Sequence, residues 1–131
     1  MTHVRRLRDQ RGDATVEAVL AVPVLLLLIT LVIQFGLYYH AAHTAEAAAQ
    51  EGARAARVEG AVAADGQQRA EDFMADAAPT LVHNVTITAT RDSETAHIEV
   101  RGTVHSIFPG LTLTIHADAD SPVERFRADT P

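Results

Sequence analysis

The chain has 131 residues and no cysteine, which excludes disulfides, thiolate metal sites and cysteine nucleophiles and leaves room for one modest core beyond its apolar run. Its net charge of −6 is unevenly spread: residues 1–12 carry Arg5, Arg6, Arg8 and Arg11 against Asp9 alone, whereas the C-terminal part is acidic. An acidic domain repels a polyanion, which argues against nucleic acid as its partner.

The first predicted element is the stretch Ala18 to Tyr39, apolar almost throughout and without an ionised side chain. At about 1.5 Å of rise per residue it covers a hydrocarbon core of roughly 30 Å with some length left for tilt. A buried soluble helix of this length would show a polar stripe, and none is present. The stretch therefore predicts one transmembrane helix over 13–40, preceded by a basic leader over 1–12. Pro23, Thr30, Gln34 and Gly36 interrupt it mildly, as membrane helices tolerate where neighbours or local adjustment satisfy the freed polar groups. Cationic flanks stay in the cytoplasm, so Arg5, Arg6, Arg8 and Arg11 predict an N-terminus inside the cytoplasmic membrane and an extracytoplasmic C-terminal domain. A cleavable secretory signal is the rival, with small residues near Ala45 and Ala47 as a cleavage site. Signal peptides have apolar regions of roughly 7 to 15 residues, shorter than this run.

Glu17 stands at the mouth of this helix. An acid near a helix start is stabilised by the macrodipole, typically by about 0.3 to 1 kcal/mol, and that alone accounts for it at headgroup depth. Deeper in lipid a carboxylate costs several kcal/mol unless it is paired, which makes it a functional candidate.

Arg11-Gly12, Val16-Glu17, the long apolar helix with Pro23, and the closing Phe35-Gly36 together carry a resemblance. Gly12 followed by Glu17 resembles the class III signal of type IV prepilins and pseudopilins. The wider run RGDATVEAVLAVPVLLLLITLVIQFG is similar to the TadE-like family of tight-adherence (Flp) pilus assembly proteins. Beyond Gly60 the likeness is one of architecture only. The resemblance implies a membrane-embedded prepilin peptidase that cuts between Gly12 and Asp13. It also implies that Glu17 then pairs with the new N-terminal amine of a neighbouring subunit, and that other pilins or pseudopilins and the secretion platform are partners. The sequence departs from the Flp-type pattern at Ala18, where tyrosine is usual, and at the acidic Asp13. Arg11-Gly12-Asp13 also spells an integrin-binding tripeptide, which a cytoplasmic leader would hide.

After Tyr39, alanine with glutamate, glutamine and arginine predicts a helix over Ala41 to Ala64, part of an extracytoplasmic helical stalk over 41–78. Ala48, Gly52, Ala56 and Gly60 recur at four-residue spacing, either as a small face for a close helix neighbour or because alanine is abundant here. Glu51 and Arg54 are placed for an exposed i, i+3 pair. Asp65-Gly66 predicts the break, with a second helix over Gln67 to Ala78 that turns Ala70, Phe73, Met74 and Ala77 to a core before Pro79 ends it.

The period then changes to two. Val85, Ile87 and Ala89 alternate with threonines over Leu81 to Arg91. Ala96, Ile98, Val100 and Val104 alternate with His97, Glu99, Arg101 and Thr103. Leu111, Leu113, Ile115 and Ala117 alternate with Thr112, Thr114, His116 and Asp118. Each predicts a half-buried strand, joined by Asp92-Ser93-Glu94 and by the corner Ile107-Phe108-Pro109-Gly110. The expected fold class is α+β and pilin-like. A long N-terminal helix packs on a three-stranded antiparallel sheet over 79–120, and a loose tail follows over 121–131.

Little in the chain points to chemistry. His40 and His43 share a helix face, but no close third ligand accompanies them, and no metal or cofactor is expected. Tyr38, Tyr39 and His40 fit an interfacial belt, and His97 and His116 fall on polar strand faces. No phosphate loop, nucleophile elbow or zinc-protease motif occurs. A membrane-tethered hydrolase built on Asp118 and Asp120, with Glu124 nearby, lacks a nucleophile or metal set. The sequence thus reads as an assembly component and not an enzyme: a membrane-anchored, pseudopilin-like part of a tight-adherence pilus or related secretion apparatus. The alternative is a signal-anchored extracytoplasmic binding module outside any filament.

Overall fold

The computed structural model describes the backbone of residues 10–125 and the side chains of residues 15–125. Helix α1 (Gln10–Arg57) is followed by helix α2 (Ala63–Ala77) and strands β1 (Val82–Arg91), β2 (Thr95–Val104) and β3 (Leu113–Pro122). The class is α+β, with one antiparallel sheet in the order β1-β2-β3. The chain divides into two compact units, Met1–Ile33 and Gln34–Pro131.

The first unit is the apolar part of α1. The helix runs through Pro23, which lacks the N–H of an ordinary helical residue. Thr30 turns its hydroxyl back to donate to the Leu26 carbonyl at 2.7 Å, so its polar atom is satisfied within the helix. Every leucine, isoleucine and valine from Val16 to Ile33 is exposed.

The second unit begins with the remainder of α1, whose inner face is built from small residues. Ala41, Ala45, Ala48, Ala49, Ala53 and Ala56 are buried at intervals of three and four, the repeat of a single helix face. The bulk of the core comes from the sheet: Ile98, Val100 and Val104 of β2 are fully enclosed, with Val82 and Ile87 of β1 and Ile115 of β3 beside them. Burying each such side chain contributes about 1.5 to 3 kcal/mol, and the alanines let the helix backbone come close enough for that contact.

Helix α2 crosses α1 through Gly66, Ala70 and Met74, its buried face. A Cβ on Gly66 would lie 2.7 Å from both the Gly52 carbonyl oxygen and the Ala56 Cβ, and one on Gly52 would lie 2.7 Å from the Gly66 carbonyl oxygen. Glycine at both positions is what permits this crossing.

The helix break therefore falls earlier than Asp65-Gly66, where the local composition places it. It lies after Arg57, at Gly60, whose φ of 81° suits glycine. Asp65 sits instead in the first turn of α2 and accepts the Val62 N–H at 2.8 Å, while Gly66 is a packing residue. The last carbonyls of α1 are satisfied from the sheet and the tail. Arg91 Nε donates to the Ala56 carbonyl at 2.7 Å, and the Glu124 N–H donates to that of Arg57 at 2.9 Å.

Strands β2 and β3 follow the expected alternation, although Leu111 lies outside β3 and is exposed. Strand β1 does not follow it throughout. Its register against β2 shifts between His83 and Thr86, and Asn84 has a φ of 51°. The bulge turns both Val82 and Ile87 to the core, and it leaves Val85 exposed where strict alternation would bury it. The Asp92 carboxylate closes the β1–β2 hairpin, accepting the N–H groups of Glu94 and Thr95 at 2.7 Å each. The stretch from Ser121, expected to begin a loose tail, continues β3 instead. Ser121 and Pro122 pair with Ala96 and Thr95, and the Val123 N–H donates to the Glu94 carbonyl at 2.8 Å.

Candidate functional site

The residues singled out from sequence lie mostly along α1. Arg5, Arg6 and Arg8 lie outside the described residues, as do the side chains of Arg11 and Asp13. The backbone at Arg11, Gly12 and Asp13 is already part of α1. Glu17 is exposed on that helix between Val16 and Ala18, and it makes no hydrogen bond or ion pair among the described residues. Its carboxylate opens a helical surface that is otherwise hydrocarbon from Val16 through Ile33, apart from Thr30. That surface is far larger than a soluble monomer leaves bare, and the helix is long and apolar enough to cross a membrane.

Gln34 is the polar residue of the apolar run that the structure explains best. Only 4% exposed, it accepts the Ile107 N–H at 2.8 Å through Oε1 and donates through Nε2 to the His105 carbonyl at 3.4 Å. No sequence signal links positions so far apart. Gly36, by contrast, faces open space, with nothing within 4 Å of where its Cβ would be.

Of the small-residue stripe, Ala48, Gly52 and Ala56 meet α2 and the sheet of their own chain, and Gly60 lies beyond the helix end. Gly66, expected from sequence to break the helix, and Arg91, which the sequence reading left without a role, complete that contact from the other side. Glu51 holds Arg54 at 2.9 Å and also Arg69 of α2 at 3.4 Å, tying the two helices at the surface.

Among the described residues no third ligand atom is brought to His40 and His43. His43 instead meets the Tyr39 ring edge-on and lies 3.7 Å from Glu46. On the open face of the sheet, His97, Asp118 and Asp120 bring one ligand atom each within 4.8 Å of one another. Within this group His97 Nδ1 is hydrogen-bonded to Asp120 Oδ1 at 2.7 Å, a cross-strand pair at an exposed position. Beside it the Arg101 guanidinium, helped by His116, holds the Glu99 carboxyl below the usual carboxylate range.

A family model described as TadE-like protein matches residues 12–54. This stretch is TadE-like. The TadE-like segment runs from Gly12 to Arg54, so it takes in Glu17, Pro23, Gln34 and most of the alanine face, while α2 and the sheet lie outside it. Neither a curated protein nor a solved structure matches the chain.

Proposed function

We propose that the chain is a membrane-anchored, pseudopilin-like component of tight-adherence pilus assembly or a related secretion apparatus, acting through helix packing and not through catalysis. The observation that carries this reading is the coincidence, within one TadE-like segment, of an exposed apolar helix and, at its start, a carboxylate that has no partner among the described residues. In lipid that carboxylate is destabilising until an amine or other cation of a neighbouring subunit neutralises it, so association and neutralisation are coupled. The apolar helix supplies the anchor and the contact surface, and the sheet domain is carried outside the cytoplasmic membrane. Other pilins or pseudopilins and the secretion platform are the partners, with a prepilin peptidase acting between Gly12 and Asp13.

The test is expression alongside the pilus-assembly machinery, followed by N-terminal sequencing of the protein from membrane fractions and a count of surface pili. A mature chain beginning at Asp13, with piliation lost on deletion of the gene and restored by the wild-type copy, supports the reading. Unchanged piliation on deletion contradicts it. Retention of Met1 to Gly12 beside an active peptidase reduces the chain to an uncleaved, signal-anchored relative.

A further inference from the structure

Within the second unit the chain turns from β2 to β3 through Ser106-Ile107-Phe108-Pro109-Gly110-Leu111-Thr112, a stretch without a charged residue. Ile107 and Leu111 are 45% and 44% exposed, and Phe108 is half-buried. Three of its backbone N–H groups are paired within the protein. The Ile107 N–H is taken by Gln34, that of Phe108 by Ser106 Oγ at 3.1 Å and that of Leu111 by the Phe108 carbonyl at 3.3 Å, while Pro109 has no N–H. Water would satisfy these groups in any exposed loop, whereas lipid would not, so internal pairing matters most next to a bilayer.

The tie to Gln34 sets the level of this loop. The apolar run that ends at Tyr39 continues into the second unit, where Phe35 and Tyr39 are exposed. A span of about 20 residues counted from Ala18 ends close to Leu37, which puts Gln34 in the outermost turn of the hydrocarbon. We propose that the β2–β3 loop enters the outer lipid interface of the same bilayer, with Ile107, Phe108 and Leu111 as its apolar contacts. This rests on the reading of α1 as a membrane span, and the occupant is phospholipid because the loop carries no charge and is tied to Gln34, whose position along the span puts it at the edge of the hydrocarbon. His105 at the loop base stacks edge-on against His83 at 5.8 Å, a pair of amphipathic rings suited to headgroup level.

The chain lacks cysteine, so single probes can be placed directly. Full-length Ile107→Cys and Leu111→Cys, labelled with an environment-sensitive nitrobenzoxadiazole dye, are reconstituted in phosphatidylcholine–phosphatidylglycerol vesicles containing doxyl lipids. Thr88→Cys on the open sheet face is the aqueous reference, and Leu27→Cys is the reference within the span. The expected result is a blue shift at 107 and 111 relative to 88, with loss of emission to doxyl groups placed near the headgroups. Emission at 107 and 111 equal to that at 88, with Leu27→Cys quenched, overturns the loop contact and leaves the anchor standing. A blue shift without doxyl quenching means that protein and not lipid covers the loop, and it overturns the proposal as well. An unquenched probe at Leu27→Cys overturns the anchor and the loop contact together.

Discussion

Gly52 and Gly66 meet backbone to backbone: a Cβ added to either would come within 2.7 Å of the carbonyl oxygen of the other. The contact fixes the distance between α1 and α2 and so the fit of both helices on Ile98, whose Cδ1 lies 2.9 Å from the same Cβ position on Gly66. Gly66→Ala must push backbone, which is stiffer than a side-chain end, and should cost about 1 to 3 kcal/mol. Gly36→Ala meets open space and should be neutral or slightly stabilising. Thermal unfolding of both full-length variants in detergent, followed by circular dichroism, checks this. Equal midpoints would mean that the helices do not touch at Gly66.

The bulge at Asn84 makes an unusual prediction for β1. Val82→Asp should unfold the sheet by burying an unpaired carboxylate, with a loss of several kcal/mol, whereas Val85→Asp should stay within about 0.5 kcal/mol of wild type. In β2, Val100→Asp should be as severe as Val82→Asp, and Thr88→Asp across the sheet should be tolerated. Denaturant titration separates the two classes. A severe Val85→Asp with a mild Val82→Asp would place the register one residue away.

These two contacts show what the sequence could and could not reveal. The alternation of Ile98 and Val100 with charged neighbours reports a one-sided strand without help, because period two has few other causes. Val85 keeps that same period, and only the positive φ of Asn84 shifts the phase, so the pattern alone buries the wrong valine. Asp65-Gly66 has the composition of a turn, but Gly66 is there for the sake of Gly52, a partner visible only after folding. Gln34 reads as a tolerated polar residue because its partners, His105 and Ile107, lie at the far end of β2. Glu17 stands out in the sequence for the opposite reason, as an acid beside a hydrocarbon helix, and its exposed position on α1 agrees with that pattern.

The β1–β2 hairpin should respond to acid. Backbone N–H groups of Glu94 and Thr95 hold the Asp92 carboxyl below its ordinary value, so its contribution to stability is complete above the unfolded-state value of about 4. That contribution is lost as pH falls through the lowered folded value. Asp92→Asn removes the titration, so the difference in melting temperature between wild type and variant should shrink as the pH drops below about 4. A difference that is constant from neutral to strongly acidic pH would rule out the Asp92 carboxylate as the source.

Topology is testable independently of assembly. The arginines at 5, 6, 8 and 11 predict a cytoplasmic N-terminus, so alkaline phosphatase fused after Pro131 should be active in intact cells. An inactive phosphatase fusion beside an active cytoplasmic reporter at the same position would reverse the orientation.

The central claim is that Glu17 serves association and not folding, and co-purification tests it most directly. Wild type and Glu17→Ala are extracted from membranes in which the partner subunits are co-expressed, and the partners recovered with each are quantified. Glu17→Ala should insert in the membrane at wild-type level and keep the wild-type melting temperature, since Glu17 makes no hydrogen bond or ion pair among the described residues, while partner recovery falls by about tenfold or more. Partner recovery at wild-type level would show that Glu17 only complements the start of its own helix, and it would contradict the account.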